Sequence, residues 1–421
     1  MEEMRLVLNI TLALLIFARL EYAQEYYYSN WCGRGTEFLN DRKCAKVFPS
    51  APAGECSVAA YESEDDLPEG YLADGPLSLA NIDTLSKIVT NGANLCVILT
   101  KRVKGSQKLF NRYYCTGGDT LSHETWSSSK IFAMANAAGS LRGREAPTTG
   151  CAPGTAGLDA ATTGKNGPHT HLGDLATIVC SYDTTAGYSS NSLASYFHDL
   201  GGRQTLHDLV QSDWLMGKTT TDSLGSNYGE ATPGDLGFVL TPVEGSPVCS
   251  ATQNTFHPSC SNSLSSLAAA EMTRRLVLHD SISDPLRFPL LLQRDVDSIL
   301  RGSNSSSSLF PGQAPFGGMS ADTAIFLQSA LDMEEVERAS AGRWAIYSKL
   351  GCGYSSSRIV GEIISNAYGC FPSLGGGGRG FELTLSVRGS VPNDSSGAQA
   401  EQVVLEAVRA VVSAILSGKI E

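Results

Sequence analysis

A serine and a lysine stand three positions apart at the start of an apolar run in this 421-residue chain. The run is HETWSSSKIFAMA, residues 123–135, and the pair is Ser127 and Lys130. On a helix these two side chains would share a face. A serine hydroxyl becomes a good nucleophile when a neighbouring base takes its proton, and a lysine is such a base when burial or nearby cations lower its pKa. The pair therefore predicts either a nucleophile with its base or the polar start of an ordinary helix.

Two later segments hold further polar and charged side chains. The first, GYSSNSLASYFHDLGG, has Ser189 and Asn191 just before a helical run. The second, KLGCGYSSSR, begins with Lys349 on a predicted strand and ends with Arg358.

Each of these residues also has a purely structural interpretation. Ser189 and Asn191 would serve as a loop and N-cap before the helix. Lys349 would be a solvated charge on an edge strand, where lysine is common. Arg358 would form an ion pair with Glu362 or another surface acid. Motifs this short occur by chance, so their order and spacing have to decide between the two interpretations.

Taken in order, the three motifs resemble those of the serine β-lactamase and penicillin-binding-protein family, and most closely those of class A β-lactamases. That family has Ser-x-x-Lys at a helix start, Ser-x-Asn in a loop and Lys-Thr/Ser-Gly on an edge strand, in the order found here. The resemblance covers about residues 78–417. It implies an α/β plus all-α protein with the β-lactamase/transpeptidase-like fold, in which helices flank an antiparallel sheet and a helical lobe is inserted.

The resemblance also implies a role for each polar residue of the motifs. Ser127 would be the nucleophile, Lys130 the general base and Ser189 the proton relay to the leaving nitrogen. Asn191 would hold the substrate amide, and Lys349 would supply a second catalytic cation. The implied enzyme is a serine hydrolase or acyltransferase that works through an acyl-enzyme.

Three more residues would contact the substrate. Gly351 stands at the glycine of the strand motif, and the backbone N–H of Cys352 would form an oxyanion hole with that of Ser127. Arg358 follows the strand lysine by nine residues, as an arginine does in class A enzymes. Its planar guanidinium would bind a carboxylate through two parallel hydrogen bonds. The implied substrate is an amide, lactam or ester next to a carboxylate.

Two positions depart from the family pattern. Leu350 stands where the family has a threonine or serine, whose hydroxyl would bind the substrate carboxylate. The segment GSNYGEATPGD resembles the end of the family's omega loop and places Gly225 at the water-activating glutamate. Asp222 and Glu230 are the nearby acids, and neither is in register. Slow deacylation, as in a D-Ala-D-Ala-type carboxypeptidase or penicillin-binding enzyme, is one alternative, and a catalytically silent binding protein of the same fold is another.

The rest of the chain predicts the domain organisation. Residues 1–23 have the apolar core of a signal peptide, and residues 24–77 form a Cys-rich extension. A β-lactamase-like domain would follow at 78–421, with its α/β lobe at 78–122 and 342–421 and its helical lobe at 123–341.

Eleven cysteines indicate a secreted or extracellular protein in which most cysteines are paired. Because the count is odd, at least one is free or pairs between chains. Cys249–Cys260 and Cys352–Cys370 are the predicted local disulfides.

Hydrophobic periodicity predicts the elements that must position the motif residues. Strands are predicted at 95–103, 109–115, 343–354, 358–368 and 381–389. Helices are predicted at 78–91, 127–140, 171–186, 192–200, 263–280 and 397–417. The two ends of the chain would build one α/β layer, with the helical lobe between them and the site in a cleft between the lobes.

Charge and motif chemistry argue against other classes. The net charge of −12 disfavours nucleic acid as a partner, and no apolar run after the signal peptide is long enough for a membrane span. The HTH motif at 169–171 lacks the third ligand of a catalytic zinc site, and GGGGRG at 375–380 lacks the Lys-Ser/Thr of a phosphate loop. No metal or organic cofactor is predicted, and the expected partner is a small molecule or peptide with a carboxylate.

Overall fold

The computed structural model describes residues 56, 58–75, 79–117, 120–143, 161–163, 169–181, 189–214, 221–228, 239–241, 249–250, 262–302, 318–319, 324–375 and 378–421. The chain divides into two units, Met1–Phe48 and Pro49–Glu421, and every described residue belongs to the second. The predicted signal peptide, most of the predicted extension, Glu230 and Cys260 lie outside the described residues.

Long strands occur near both ends of the described chain, with short strands between them. In chain order the strands are β1 (Leu72–Ala73), β2 (Ile82–Thr84), β3 (Asn94–Arg102), β4 (Leu109–Cys115), β5 (His123–Glu124), β6 (Ala161–Thr163), β7 (His169–His171), β8 (Val239–Thr241), β9 (Cys249–Ser250), β10 (Ser263–Leu264), β11 (Ala345–Ser355), β12 (Val360–Phe371) and β13 (Phe381–Pro392). The long strands β3, β4, β11, β12 and β13 confirm the five strands predicted from the sequence.

Seven of the described helices lie between β5 and β11, and one follows β13. In chain order they are α1 (Lys130–Leu141), α2 (Leu172–Ser181), α3 (Ser190–Gly201), α4 (Arg203–Asp208), α5 (Ser266–Val277), α6 (Gln293–Arg301), α7 (Met333–Ser340) and α8 (Ala398–Leu416). A 3₁₀ turn, Trp126–Ser129, leads into α1. Within the described ranges, no helix has both the length and the hydropathy needed to cross a bilayer.

The helix predicted at 78–91 is wrong. Leu79–Asn81 is a 3₁₀ turn, and Ile82–Thr84 forms β2. This strand pairs in parallel with β4, where Ile82 lies opposite Tyr113. Ile82 is used in strand pairing instead of helix packing, because contacts with a neighbouring strand override a short local pattern.

The main sheet joins the two ends of the described chain. Its order is β1-β4-β3-β13-β12-β11, with β2 added beside β4. The pairs along this path are antiparallel, and β2–β4 is parallel. Because β13 pairs with both β3 and β12, the predicted α/β layer built from both ends of the chain is confirmed. The strand β11 is at one end of this order and carries the KLGCGY motif.

Helices α5 and α8 cover opposite faces of this sheet. Gly389 of β13 faces α8, since a Cβ at this position would lie 2.2 Å from the carbonyl oxygen of Ala400. Cys96 of β3 belongs to a small cluster with Leu267 of α5, and it lies opposite Ser386. Side chains alternate along a strand, so residues 386 and 389 point to opposite faces. The predicted fold class, an antiparallel sheet flanked by helices with a helical segment between its halves, is confirmed.

Helix α1 lies at the centre of the helical segment. All of its residues, Lys130–Leu141, are buried, and it contacts α2, α3, α4 and α6. A helix that is enclosed on every side is a core helix, and its alanine-rich sequence lets neighbouring helices approach closely. The lysine of the Ser-x-x-Lys motif therefore enters the protein interior with the first turn of α1.

Two described disulfides tie the sheet together. Cys56, which precedes β1, is bonded to Cys370 of β12, and Cys96 of β3 is bonded to the directly opposite Cys115 of β4. The predicted Cys352–Cys370 disulfide is therefore wrong. Cys352 is itself disulfide-bonded, and it lies opposite Ile363, seven residues along β12 from Cys370. That separation is about 23 Å along a strand, much too far for a disulfide.

Candidate functional site

Exposure distinguishes the three serines of the turn Trp126–Ser129. Ser128 and Ser129 are fully buried, whereas Ser127 is partly exposed. Ser128 Oγ donates a hydrogen bond of 2.7 Å to the carbonyl oxygen of Thr125, and Ser129 Oγ accepts one of 2.8 Å from Thr125 Oγ1. Ser127 is therefore the serine of this turn that a substrate can reach.

Lys130 brings the first two motifs together. Its side chain is fully buried, and Nζ donates hydrogen bonds to Ser190 Oγ at 2.9 Å and to Asn191 Oδ1 at 2.6 Å. The contact forms because α1 packs directly on α3, whose first turn carries both partners. Asn191 thus lies beside the predicted base, while its contact with a substrate amide stays a prediction.

The two serines that precede Asn191 have different positions. Ser189 is the exposed N-cap of α3, and its Oγ accepts a hydrogen bond of 3.1 Å from the backbone N–H of Ser192. Ser190 is buried, and its Oγ accepts a hydrogen bond from Lys130 Nζ. The same Oγ donates a hydrogen bond of 2.9 Å to the carbonyl oxygen of Val179. Ser190 is a second candidate relay that sequence reasoning missed, and the relay role of Ser189 stays a prediction.

The strand motif lies directly against the turn that carries Ser127. A Cβ added at Gly351 would come within 2.6 Å of Ser128 N and 2.8 Å of Ser127 N, so only glycine fits at this closest approach. Two residues earlier, Lys349 is fully buried and lies opposite Asn366, which donates to the Ser128 carbonyl oxygen at 3.2 Å. The structure therefore brings the first and third motifs together.

The other residues of the strand motif lie beside this approach. Leu350 is buried, and its carbonyl oxygen accepts a hydrogen bond of 2.9 Å from Lys349 Nζ. Cys352 follows Gly351 on β11, and its side chain is in a disulfide. The oxyanion role needs only its backbone N–H, so the disulfide leaves that prediction open.

Behind Ser127, a buried carboxylate holds the preceding tryptophan. Trp126 has a φ of 48°, a left-handed conformation that is unfavourable for a bulky residue. Its ring packs on Gly353, and its Nε1 donates to Glu362 Oε2 at 3.0 Å. Glu362 is fully buried and also pairs with Arg358 and Arg388. The motif search missed Trp126 and gave Glu362 only as a possible partner of Arg358.

Arg358 has two carboxylate partners in the structure. Its Nη2 lies 2.7 Å from Glu362 Oε2 and 2.8 Å from Glu124 Oε2, and its Nε donates to Ser355 Oγ at 3.0 Å. Burial raises the pKa of Glu124, while the Arg358 guanidinium acts in the opposite direction. The ion pair with Glu362 is the structural interpretation considered from the sequence, and binding of a substrate carboxylate stays a prediction.

A buried tyrosine lies beside Lys130 in the segment that resembles an omega loop. Lys130 Nζ is 5.3 Å from the centre of the Tyr228 ring, a distance typical of cation–π contacts. The Tyr228 hydroxyl is 3.1 Å from Ser129 Oγ and 3.2 Å from His198 Nε2, and its ring stacks on that imidazole. Burial raises the pKa of Tyr228, and burial together with Arg203 lowers that of His198. The pair is thus a neutral phenol and a neutral imidazole at pH 7.

The acids that sequence reasoning placed near the omega loop are not both described. Gly225 has a φ of 113°, and a Cβ there would lie 2.9 Å from the Arg203 carbonyl oxygen, so no side chain fits. The Asp222 carboxylate accepts from the backbone N–H of Ser265 at 2.7 Å and from Ser122 Oγ. Asp222 therefore helps to cap α5, and Glu230 lies outside the described residues.

No cluster of three or more His, Cys, Asp or Glu side chains suited to a metal ion occurs among the described residues.

The chain is similar in structure to several class A β-lactamases. A β-lactamase from Burkholderia vietnamiensis shares 16% identity, with 78% of this chain and 94% of that chain covered and a TM-score of 0.40. A class A β-lactamase from Mycobacterium abscessus shares 15%, with 78% and 97% covered and a TM-score of 0.40. A β-lactamase from Xanthomonas campestris shares 14%, with 78% and 95% covered and the same TM-score.

The sequence matches no protein-family profile and no curated protein.

Proposed function

We propose that this chain is a secreted, β-lactamase-like serine hydrolase or acyltransferase that forms an acyl-enzyme on Ser127. The observation that supports this most strongly is the pairing of a partly exposed Ser127 with a fully buried Lys130 one helical turn away. Burial disfavours the charged form of a lysine, and a neutral lysine is a general base. Lys130 also contacts Ser190 and Asn191, so the base has a defined position in a polar site.

The proposed acylation step uses Ser127, Lys130 and polar groups of the second and third motifs. Lys130 takes the proton of Ser127 Oγ as this oxygen attacks the substrate carbonyl, and the carbonyl oxygen becomes an oxyanion. Backbone N–H groups of Ser127 and Cys352 would stabilise that charge. The carbon–nitrogen or carbon–oxygen bond then breaks, and the leaving group receives a proton through Ser189 or Ser190. The product is an ester of Ser127.

Hydrolysis of this ester is expected to be slow. Gly225 stands at the position where the resemblance implies a water-activating glutamate, and its surroundings admit no side chain. Asp222 is used at the start of α5. A long-lived acyl-enzyme is the behaviour of a penicillin-binding enzyme of the D-Ala-D-Ala carboxypeptidase type, which is the alternative within the same chemistry.

Secretion is part of the proposal. Cys56–Cys370 and Cys96–Cys115 are disulfides of a kind that forms in oxidising compartments. Residues 1–23 have the composition of a signal peptide.

The test is the intact mass of the protein during incubation with benzylpenicillin or with an activated p-nitrophenyl ester. We expect an adduct on the wild type and on Ser106→Ala, whose hydroxyl lies in the turn between β3 and β4, and none on Ser127→Ala. A persistent adduct supports slow deacylation. An adduct that decays with substrate turnover would show that another group activates water. The acylation rates of Ser189→Ala and Ser190→Ala then identify the proton relay. The relay is the serine whose loss slows acylation of Ser127 more.

A catalytically silent binding protein is the second candidate. The observation that favours it is the pairing of Arg358 with Glu124 and Glu362, together with the apolar Leu350 at the place of a hydroxyl. A folded wild type that gains no mass with either probe would contradict the enzyme proposal and support this candidate.

A further inference from the structure

Arg358, a partly exposed cation of the site, is paired with two of this chain's own carboxylates. Arg358 Nη2 lies 2.8 Å from Glu124 Oε2 and 2.7 Å from Glu362 Oε2. The Arg358 side chain is 39% exposed and that of Glu124 is 34% exposed, whereas Glu362 is fully buried. The part of this cluster that a substrate can reach is therefore an ion pair, in which a carboxylate already holds the guanidinium.

The charged cluster of Arg358, Glu124, Glu362 and Arg388 lies close to Ser127 along the chain and through a hydrogen bond to Trp126. Glu124 precedes Ser127 by three residues on the same segment. Glu362 accepts the indole N–H of Trp126, the residue just before Ser127, at 3.0 Å. Glu362 also lies opposite Gly353 in the β11–β12 register, two residues beyond the closest approach of β11 to the turn. A group bound to Ser127 and extending along β11 would therefore meet the Arg358–Glu124 pair.

The charges of the cluster balance. Arg358 and Arg388 contribute two positive charges, and Glu124 and Glu362 contribute two negative charges. A substrate carboxylate would have to displace Glu124 from Arg358 or share the guanidinium with it at close range. Either arrangement is opposed by repulsion between the two carboxylates or by the loss of a charge-assisted hydrogen bond. Leu350, buried and apolar, offers no hydroxyl that would compensate.

We propose that Glu124 is a specificity-determining residue and that the site selects acyl donors with no carboxylate beside the scissile bond, such as a neutral ester or amide. This inference rests on the proposed acyl-enzyme function and replaces the carboxylate-bearing substrate expected from the sequence. Glu124 acts by covering the exposed side of Arg358, so removing its charge opens that side to an anionic substrate while Glu362 still holds the guanidinium.

The test compares benzylpenicillin with its methyl ester, which lacks the negative charge and carries one additional methyl group. The rate of Ser127 acylation is followed by intact mass, and each rate is divided by the probe's rate of hydroxide hydrolysis to remove intrinsic reactivity. In the wild type the normalised rate should be at least tenfold higher for the methyl ester. In Glu124→Gln the ratio should shift at least tenfold toward the free acid. Glu335→Gln removes an exposed carboxylate that pairs with Arg338, and it should keep the wild-type ratio.

The outcomes separate the two proposals. If the wild type reacts equally fast with both probes, or if Glu124→Gln keeps the wild-type ratio, the inference is wrong and the acyl-enzyme proposal stands. If no probe labels Ser127 in the wild type, including the p-nitrophenyl ester, the proposed function fails and the inference fails with it. The wild-type comparison needs no substitution, so it decides the matter even if Glu124→Gln does not fold.

Discussion

At the scale of single residues, the ionisable side chains buried near Ser127 are held by specific partners. Lys130 and Lys349 are fully buried, and each has polar contacts that hold its position. Glu362 is also fully buried, and two arginines balance its charge. The site therefore has internal charges whose states depend on their neighbours, and a change of one neighbour should alter stability or reactivity measurably.

His123 provides a pH-dependent example beside this cluster. It is buried, and burial together with Arg388 lowers its pKa from 6.5 to about 4. Between these values the unfolded chain binds a proton that the folded protein does not, so the free energy of unfolding falls as the pH falls. From pH 7.0 to 4.5 this group alone should remove about 2 kcal/mol, since one pKa unit is about 1.4 kcal/mol.

Urea unfolding of the wild type and of His123→Gln at both pH values measures this contribution. The wild type should lose about 2 kcal/mol more than the variant on acidification. Equal losses would mean that His123 titrates normally in the folded protein and that its burial has no electrostatic consequence.

At the scale of elements, the close contact between β11 and the turn Trp126–Ser129 forms the site. The contact is possible because Gly351 and Gly353 have no side chains on the face that meets Trp126–Ser129. The same contact holds Trp126 in its left-handed conformation and sets the position of Ser127. Strand β11 is thus a structural support for the turn that carries Ser127.

Substitution Gly351→Ala tests this contact. A Cβ at this position would lie 2.6 Å from the backbone at Ser128 and Thr125, so the strand or the turn has to move. We expect a loss of about 1–3 kcal/mol in the free energy of unfolding, typical of overpacking. Acylation of Ser127 should slow at least tenfold, because a displacement of this size spoils the geometry of the reacting groups.

The matched control is Gly75→Ala, where the nearest atom to a new Cβ is 3.8 Å away. It should leave both stability and acylation close to those of the wild type. If Gly351→Ala behaves like this control, β11 does not constrain the turn.

At the scale of the whole molecule, the sheet depends on contacts between the ends of the described chain. Strand β3 pairs with β13, and Cys56 is bonded to Cys370 across 314 residues. The second described disulfide, Cys96–Cys115, spans only 19 residues within the β3–β4 hairpin. The long-range link should restrict the unfolded chain much more than the short one.

Paired alanine substitutions compare the two links. Loss of Cys56–Cys370 should lower the free energy of unfolding by about 2 kcal/mol more than loss of Cys96–Cys115, because the entropy of loop closure rises with the logarithm of loop length. Denaturant unfolding of the two double variants measures the difference. An equal or smaller loss for the long-range link would mean that strain or residual structure, and not chain entropy, controls its effect.

The sequence by itself determined the elements and the main polar groups. Alternating or helical apolar patterns located β3, β4, β11, β12 and β13 and the helices α1, α2, α3, α5 and α8, because such patterns depend on residues close together in the chain. The spacing of Ser127 and Lys130 placed them at the start of one helix for the same reason. Local periodicity also predicted the order of the sheet halves and the helical segment between them.

Only the tertiary structure decided which distant groups meet. It bonds Cys370 to Cys56 and places Lys130 within hydrogen-bonding distance of Ser190. It also packs Tyr228 against Lys130 and pairs Arg358 with Glu124. Residues 78–91 likewise became a turn and a strand, because β4 offered a partner. The spacing of residues in the sequence predicts contacts only between residues that are a few positions apart. Contacts across tens or hundreds of residues depend on how helices and strands pack, so the charge balance around Arg358 appears only in the folded protein.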